Sequence, residues 1–129
     1  MNPDITTTLW VALGGGLGGV ARYSIGTAIA RLAGNKVLWG TLAVNIVGSF
    51  LLGYLALPLL SDGSMRPGPD IRLLVALGVY GGFTTFSAFS LETFELLRNG
   101  ETIRAMLYVV GSVGLCLGAA ALGIYAGHP

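Results

Sequence analysis

At 129 residues, with 53% hydrophobic and only 10% charged side chains, the chain cannot supply the polar surface of a soluble domain, which ordinarily carries about a quarter charged residues. Its mean hydropathy of +0.77 predicts an outside that faces lipid, and a net charge near +1 gives no reason to expect nucleic acid as a partner. Cys116, the single cysteine, excludes an intrachain disulfide and a cysteine-based metal cluster.

Four apolar runs fill most of the chain. Residues 5–30 carry one charge, Arg22, and residues 37–60, 73–91 and 105–127 carry none. Crossing the hydrocarbon core takes roughly 20 apolar residues in a helix. The expectation is therefore one all-α membrane domain, residues 1–129, with four transmembrane helices over 5–30, 37–60, 72–97 and 103–127. The residues ahead of the first run include Asp4 and no Lys or Arg. They lack the basic stretch of a cleavable signal.

Glycines recur along the first span at 14, 15, 16, 18 and 19. Their small-xxx-small spacing lets helix backbones approach closely in lipid, and Gly111, Gly114 and Gly118 repeat the idea in the fourth. Packing within one subunit accounts for any one of them. Arg22 is an intramembrane charge and so a functional candidate by default, with snorkelling toward a headgroup or vestibule as the plain alternative. In the second span the segment Gly40-Thr41-Leu42-Ala43-Val44-Asn45 places an amide at mid-membrane. It serves either as interhelical glue, worth about 0.6–2 kcal/mol, or as an NH₂ donor to an anion.

The third span carries the most information. It reads Gly81-Gly82-Phe83-Thr84-Thr85-Phe86-Ser87-Ala88-Phe89-Ser90-Leu91-Glu92. Two glycines followed by two β-branched threonines are poor helix material, so a break is expected here. A break frees backbone carbonyls, which at that depth must be buried in protein or meet something polar. Carbonyl oxygens are hard ligands, and a bound Na⁺ suits them. Phe83, Phe86 and Phe89 then recur at every third position with Ser87 and Ser90 among them. Such a stripe is ordinary helix packing in one reading. In the other, positive ring edges join hydroxyl and amide donors in an anion path that binds loosely enough to conduct.

The short connections give little orientation bias. Termini and the loop with Arg66 and Arg72 fall on one side, Arg31, Lys36, Arg98 and Arg104 on the other. Such a weak preference allows insertion both ways. A four-helix bundle fills its own core, so a conduit in so small a protein requires an oligomer.

At the third-span segment the sequence resembles the Fluc (CrcB) fluoride-channel family, whose signature reads GG(L/F)(S/T)TFS(T/A)FSxE. The 40–45 segment is similar to the family's GTLxxN motif, and Gly14-Gly15-Gly16 through Ala21-Arg22-Tyr23 to its GGxxGxxxR start. The resemblance implies an antiparallel, dual-topology homodimer in the inner membrane of a prokaryotic cell, with two pores for passive fluoride export along the subunit interface. It implies that Asn45, Phe86 and Phe89 contact fluoride and that Thr85, Ser87, Tyr108 and Ser112 complete the lining. Arg22 would stand at a vestibule and Glu92 near the far mouth. Backbone carbonyls of Gly81 and Thr84 would hold a structural Na⁺ at the dimer interface. Two positions depart from the family's habit: Cys116 stands where a second small hydroxyl is frequent, and Ala88 where Thr is common.

No P-loop is present and no Asp or Glu lies inside an apolar run, which argues against ATP or proton coupling. A small multidrug-type exporter would need a membrane-embedded carboxylate, and the first span offers Arg22 instead. A non-transporting membrane scaffold would explain the glycines but not the donors and Phe rings clustered at a helix break. An enzyme is not expected, and the lone His128 has no catalytic partners.

Overall fold

The computed structural model describes residues 5–34, 36–60 and 78–127. The loop with Arg66 and Arg72, positions 72–77 of the expected third span, and His128 lie outside the described residues. Among the described residues the secondary structure is entirely helical: α1 (Ile5–Leu32), α2 (Val37–Leu60), α3 (Tyr80–Phe83), α4 (Phe86–Arg98) and α5 (Thr102–Gly127).

Local chemistry sets where these helices stop. The polypeptide leaves α4 through a Schellman motif. Gly100 adopts φ +78°, its N–H donates to the Leu97 carbonyl at 3.1 Å, and the next N–H, from Glu101, reaches back to Leu96 at 2.9 Å. A side chain at position 100 would be strained in that left-handed geometry, which glycine adopts freely. The start of α4 is equally defined. Thr85 is extended (φ −149°, ψ 115°), and its hydroxyl accepts from the Ala88 N–H at 3.2 Å, a threonine N-cap.

α2 is the hub. It packs on α5 along one side and on α1 along another, and it touches both α3 and α4. Glycine makes the contacts close: a Cβ on Gly40 of α2 would run into the Gly26 carbonyl of α1. Likewise Gly53 of α2 lies on the Ala120 carbonyl of α5, and Gly82 of α3 on the Gly15 carbonyl of α1. Not every glycine is used this way. Gly14 and Gly18 are buried, but around Gly111, Gly114 and Gly118 a Cβ would meet nothing within 4 Å. The expected packing face of α5 is thus open in the protomer.

Among the described residues two helices are long and apolar enough to cross a membrane, α2 over Val37–Tyr54 and α5 over Thr102–Gly127, and only 28% and 22% of those stretches are buried. A core helix of a soluble protein would be mostly buried. Here Leu107, Val110, Leu117 and Leu122 are each about two-thirds exposed, and water would penalise that surface by roughly 25 cal/mol per Å². Lipid is the solvent these faces fit. With 13 residues, α4 extends about 20 Å at 1.5 Å per residue, too short to span on its own.

Candidate anion path

Thr84 and Thr85 separate α3 from α4, and Asn45 of α2 occupies the interruption. Its Oδ1 accepts from the Thr85 N–H at 2.9 Å, and its Nδ2 donates to the Thr85 carbonyl at 3.1 Å. In a continuous helix the Thr85 N–H would bond to the carbonyl four residues back, on Gly81. Asn45 takes that proton instead and leaves the Gly81 carbonyl without its helical donor. The next carbonyl, on Gly82, receives the Arg22 Nε–H at 3.3 Å. Side chains from α1 and α2 thus satisfy the Gly82 carbonyl and the Thr85 N–H. Of the two amide hydrogens on Asn45, one is committed to Thr85 and the other has no partner among the described residues.

Beyond the interruption, a polar rail runs between α2, α4 and α5. The Glu92 carboxylate accepts from the Thr41 hydroxyl at 2.8 Å and from the Tyr108 hydroxyl at 2.7 Å. Thr41 and Tyr108 are both buried. The Phe89 ring leans on Tyr108, with centroids 5.2 Å apart and planes at 44°, and on Phe86 at 5.5 Å and 46°. One turn beyond Tyr108, Ser112 is 7% exposed, and its Oγ has no hydrogen-bond partner among the described residues.

Several cavities adjoin these residues, and two of them meet at Thr85. One, of about 280 Å³, is lined by Asn45, Thr85, Phe86, Phe89, Ser112 and Cys116 among others, with no charged side chain in its wall. The second, of about 380 Å³, lies on the other side of Thr85 and is lined by Arg22, Arg31, Thr41 and Glu92. Donors and ring edges without a fixed charge thus stand next to a chamber with cationic side chains.

The expected site residues divide accordingly. Asn45, Thr85, Phe86, Phe89 and Ser112 come together at the uncharged cavity, and Thr84 is also in its wall. Ser87 does not join them; it is exposed, its hydroxyl 3.4 Å from that of Thr85. Tyr108 takes part through Glu92 and the Phe89 ring rather than as cavity wall. Arg22 and Glu92, the two residues expected at the vestibule, line the same cavity. Glu92 directly follows the apolar run 73–91 and is drawn into the bundle by the Thr41 and Tyr108 hydroxyls. Phe86 is 77% exposed, and a Cβ on Gly81 would meet nothing within 4 Å. Both face outward from the protomer.

Thr41 and Ser49 were missed as site residues, although the signal was available. Thr41, Asn45 and Ser49 recur every fourth position on α2, and Tyr108, Ser112 and Cys116 do so on α5. Residues four apart share a helix face, so two polar stripes oppose each other across the rings of α4.

A bundle whose apolar faces suit lipid, with a polar rail between α2, α4 and α5 and an open, uncharged cavity beside it, defines a helical membrane protein. The family described as "CrcB-like protein, Camphor Resistance (CrcB)" matches residues 9–124, and the chain belongs to that family. It is 50% identical over 115 residues to the "Fluoride-specific ion channel FluC" of Opitutus terrae, covering 89% of this chain and 87% of the relative. Proteins of the same name from Geobacter sulfurreducens (46% identical; 95% and 97% covered) and Methylobacterium radiotolerans (42%; 97% and 87%) are similar along nearly their whole length.

Among the described residues no group of three His, Cys, Asp or Glu could hold a metal ion. The Gly81 carbonyl, deprived of its helical donor at an open surface, is a hard ligand of the kind Na⁺ accepts.

Proposed function

We propose that this protein is a fluoride-selective channel that lets fluoride leave the cytoplasm passively, with Asn45, Phe86, Phe89 and Ser112 contacting the ion. The observation that carries this reading is the uncharged cavity. Its wall holds the Asn45 amide, two Phe rings, whose edges carry positive charge, and Ser112, whose buried hydroxyl has no partner among the described residues. No cation lines it to trap the ion, and weak, multiple contacts favour passage over retention. Arg22 and Arg31 in the adjoining chamber concentrate anions at the entrance. Glu92 would repel them, but both its oxygens are engaged by Thr41 and Tyr108, which damps its field and fixes the rail.

In this reading α3 and α4 are halves of one broken span over 72–97, with α1 (5–30), α2 (37–60) and α5 (103–127) as the other three. Two copies insert in opposite directions in a bacterial inner membrane and pair as a homodimer. The exposed Phe86 ring, the open Gly81 and the unfilled glycine stripe of α5 support a face that a second copy covers. Na⁺ would be held there by the Gly81 and Thr84 carbonyls, a structural charge that offsets crowded backbone dipoles. Export needs no coupled energy source. HF enters from acid surroundings and dissociates in the more neutral cytoplasm, and each anion that leaves gains about 2.3 kcal/mol per 100 mV of inside-negative potential.

The test is efflux from liposomes that contain only the purified protein, with fluoride- and chloride-sensitive electrodes. Rapid fluoride loss without chloride loss is expected. Absence of both would reduce the protein to a scaffold, and equal loss of both would remove the selectivity.

A further inference from the structure

A groove of about 380 Å³ lies between α2 and α5, and its two ends differ in chemistry. Lys36, just ahead of α2, and Arg104, in the first turn of α5, stand at one end. They share that end because the two helices run the same way: Tyr54, late in α2, lies against Gly127 at the end of α5. Farther along, the wall is apolar, with Leu42 of α2 and Leu107 and Leu115 of α5. From Arg104 to Leu115 the wall climbs about 16 Å at 1.5 Å per residue. That is about half of a hydrocarbon core roughly 30 Å thick, the depth of one leaflet. Trp39 lines the groove near Lys36, and tryptophan settles at headgroup level. Gly111 is in the wall, where a Cβ would meet nothing within 4 Å, so the protomer leaves the space unfilled. Gly114 and Gly118 are not in that wall, and the rest of the α5 glycine stripe stays available to a second copy.

We propose that this groove binds one anionic phospholipid, its phosphate between Lys36 and Arg104 and one acyl chain along Leu107, Gly111 and Leu115. Charge selects the occupant. The Lys36 ammonium has no ion pair or hydrogen bond among the described residues. Arg104 gives one Nη to Glu101 at 2.9 Å. That exposed pair carries little energy, and it holds the guanidinium at the rim with N–H donors to spare. The long stems of both residues can cover apolar wall while their charged ends meet a headgroup. An apolar occupant would use the leucines and leave both cations unmatched, and a choline ammonium beside them would offset the attraction to its own phosphate. The lipid lies at the margin of the paired copies. Its binding needs only a protein that sits in a membrane and is independent of what the protein conducts.

Native mass spectrometry of the purified, full-length protein tests this, with phosphatidylglycerol and phosphatidylcholine of the same chains added in turn. One phosphatidylglycerol per protomer is expected, bound roughly tenfold tighter than phosphatidylcholine. Lys36→Gln should cut that preference roughly fivefold, and Lys36→Gln combined with Arg104→Gln should erase it without weakening phosphatidylcholine. Both replacements fall at exposed positions, where the fold does not depend on them. Gly111→Leu, which has room in the protomer, should weaken both lipids by taking the place of the chain. Equal affinity of the wild type for the two lipids, or a preference that survives the double replacement, would overturn the role of charge. Unchanged lipid affinity in Gly111→Leu would remove the chain from the groove. Displacement of phosphatidylglycerol by an equal concentration of glycerol 3-phosphate, the headgroup without chains, would reduce the groove to a site for a free phosphate. Lipid on the monomer and none on the dimer would give the groove to a second copy. Fluoride efflux enters none of these readouts, so a failure of the channel reading is seen separately.

Discussion

Replacing Asn45 with Ala tests the interruption between α3 and α4. The substitution removes two hydrogen bonds, of 2.9 and 3.1 Å, that tie the Thr85 main chain to α2. A hydrogen bond contributes about 0.5–1.5 kcal/mol net in proteins generally and averages about 0.6 kcal/mol between membrane helices. The direct loss is therefore about 1–3 kcal/mol. The freed Thr85 N–H has one recourse, the Gly81 carbonyl four residues back, and taking it would extend α3 into α4. Asn45→Asp separates the two halves of the effect. It can still accept from the Thr85 N–H but cannot donate to the Thr85 carbonyl, and it brings a negative charge to the cavity. With about 5 Å to a passing anion and an effective dielectric of about 20, the repulsion is about 3 kcal/mol, or roughly a hundredfold in rate. Thermal unfolding in detergent and fluoride efflux from liposomes read the two quantities. Ala should lower both stability and flux, and Asp should retain more of the stability while losing most of the flux. Wild-type stability and flux in Asn45→Ala would refute the claim that this side chain holds the interruption open.

Four further outcomes are expected. Phe86→Ile and Phe89→Ile, which keep apolar bulk but lose the polarised ring edge, should each cut fluoride efflux roughly tenfold, as a barrier increase near 1.4 kcal/mol gives. Their elution as an intact oligomer should not change. Gly40→Ala drives a methyl into the Gly26 carbonyl and should cost about 1–3 kcal/mol of overpacking, seen as a lowered melting temperature. Gly114→Ala has open space in the protomer, so it should leave protomer stability within about 0.5 kcal/mol and weaken only the association of copies, measured by dilution in lipid. Exchanging Na⁺ for a large organic cation during purification should destabilise the dimer or lower flux, and sodium-independent assembly and flux would argue against the carbonyl site.

Periodicity and composition were enough for the helices because apolar runs and helix-breaking pairs act locally. Thr84 and Thr85 lie where helical pairing ends, and their weakness as helix formers is visible in the residues themselves, whereas Gly81 and Gly82 stay helical within α3. What holds the interruption was not visible. Arg22 reaches Gly82 across 60 positions, and Glu92 meets Thr41 across 51; no local pattern encodes such pairings. Arg22 read as a free vestibule charge because its backbone partner exists only after α1 and α3 pack through Gly18 and Gly82. Glu92 read as a boundary residue because it follows the last apolar position of its run. In the fold, two hydroxyls from neighbouring helices draw it inward. Ser87 was misplaced for a related reason: proximity to Phe86 in sequence says nothing of which face it takes after Thr85 resets the helix start.

The sharpest contrast between structure and function falls at Ser112. A buried hydroxyl with no partner costs about 1–3 kcal/mol relative to one that is satisfied, so the folded protein carries a penalty there that packing alone would remove. Ser112→Ala deletes the unsatisfied oxygen and leaves a methyl that α5 accommodates without strain. Stability should stay level or rise by about 1 kcal/mol, while fluoride efflux should fall because a free donor has left the path. Few substitutions separate the two quantities in opposite directions, and a residue kept for packing does not. If Ser112→Ala instead lowers the melting temperature and leaves efflux intact, the hydroxyl serves the fold, and the donor assigned to the ion must be sought elsewhere on α2 or α4.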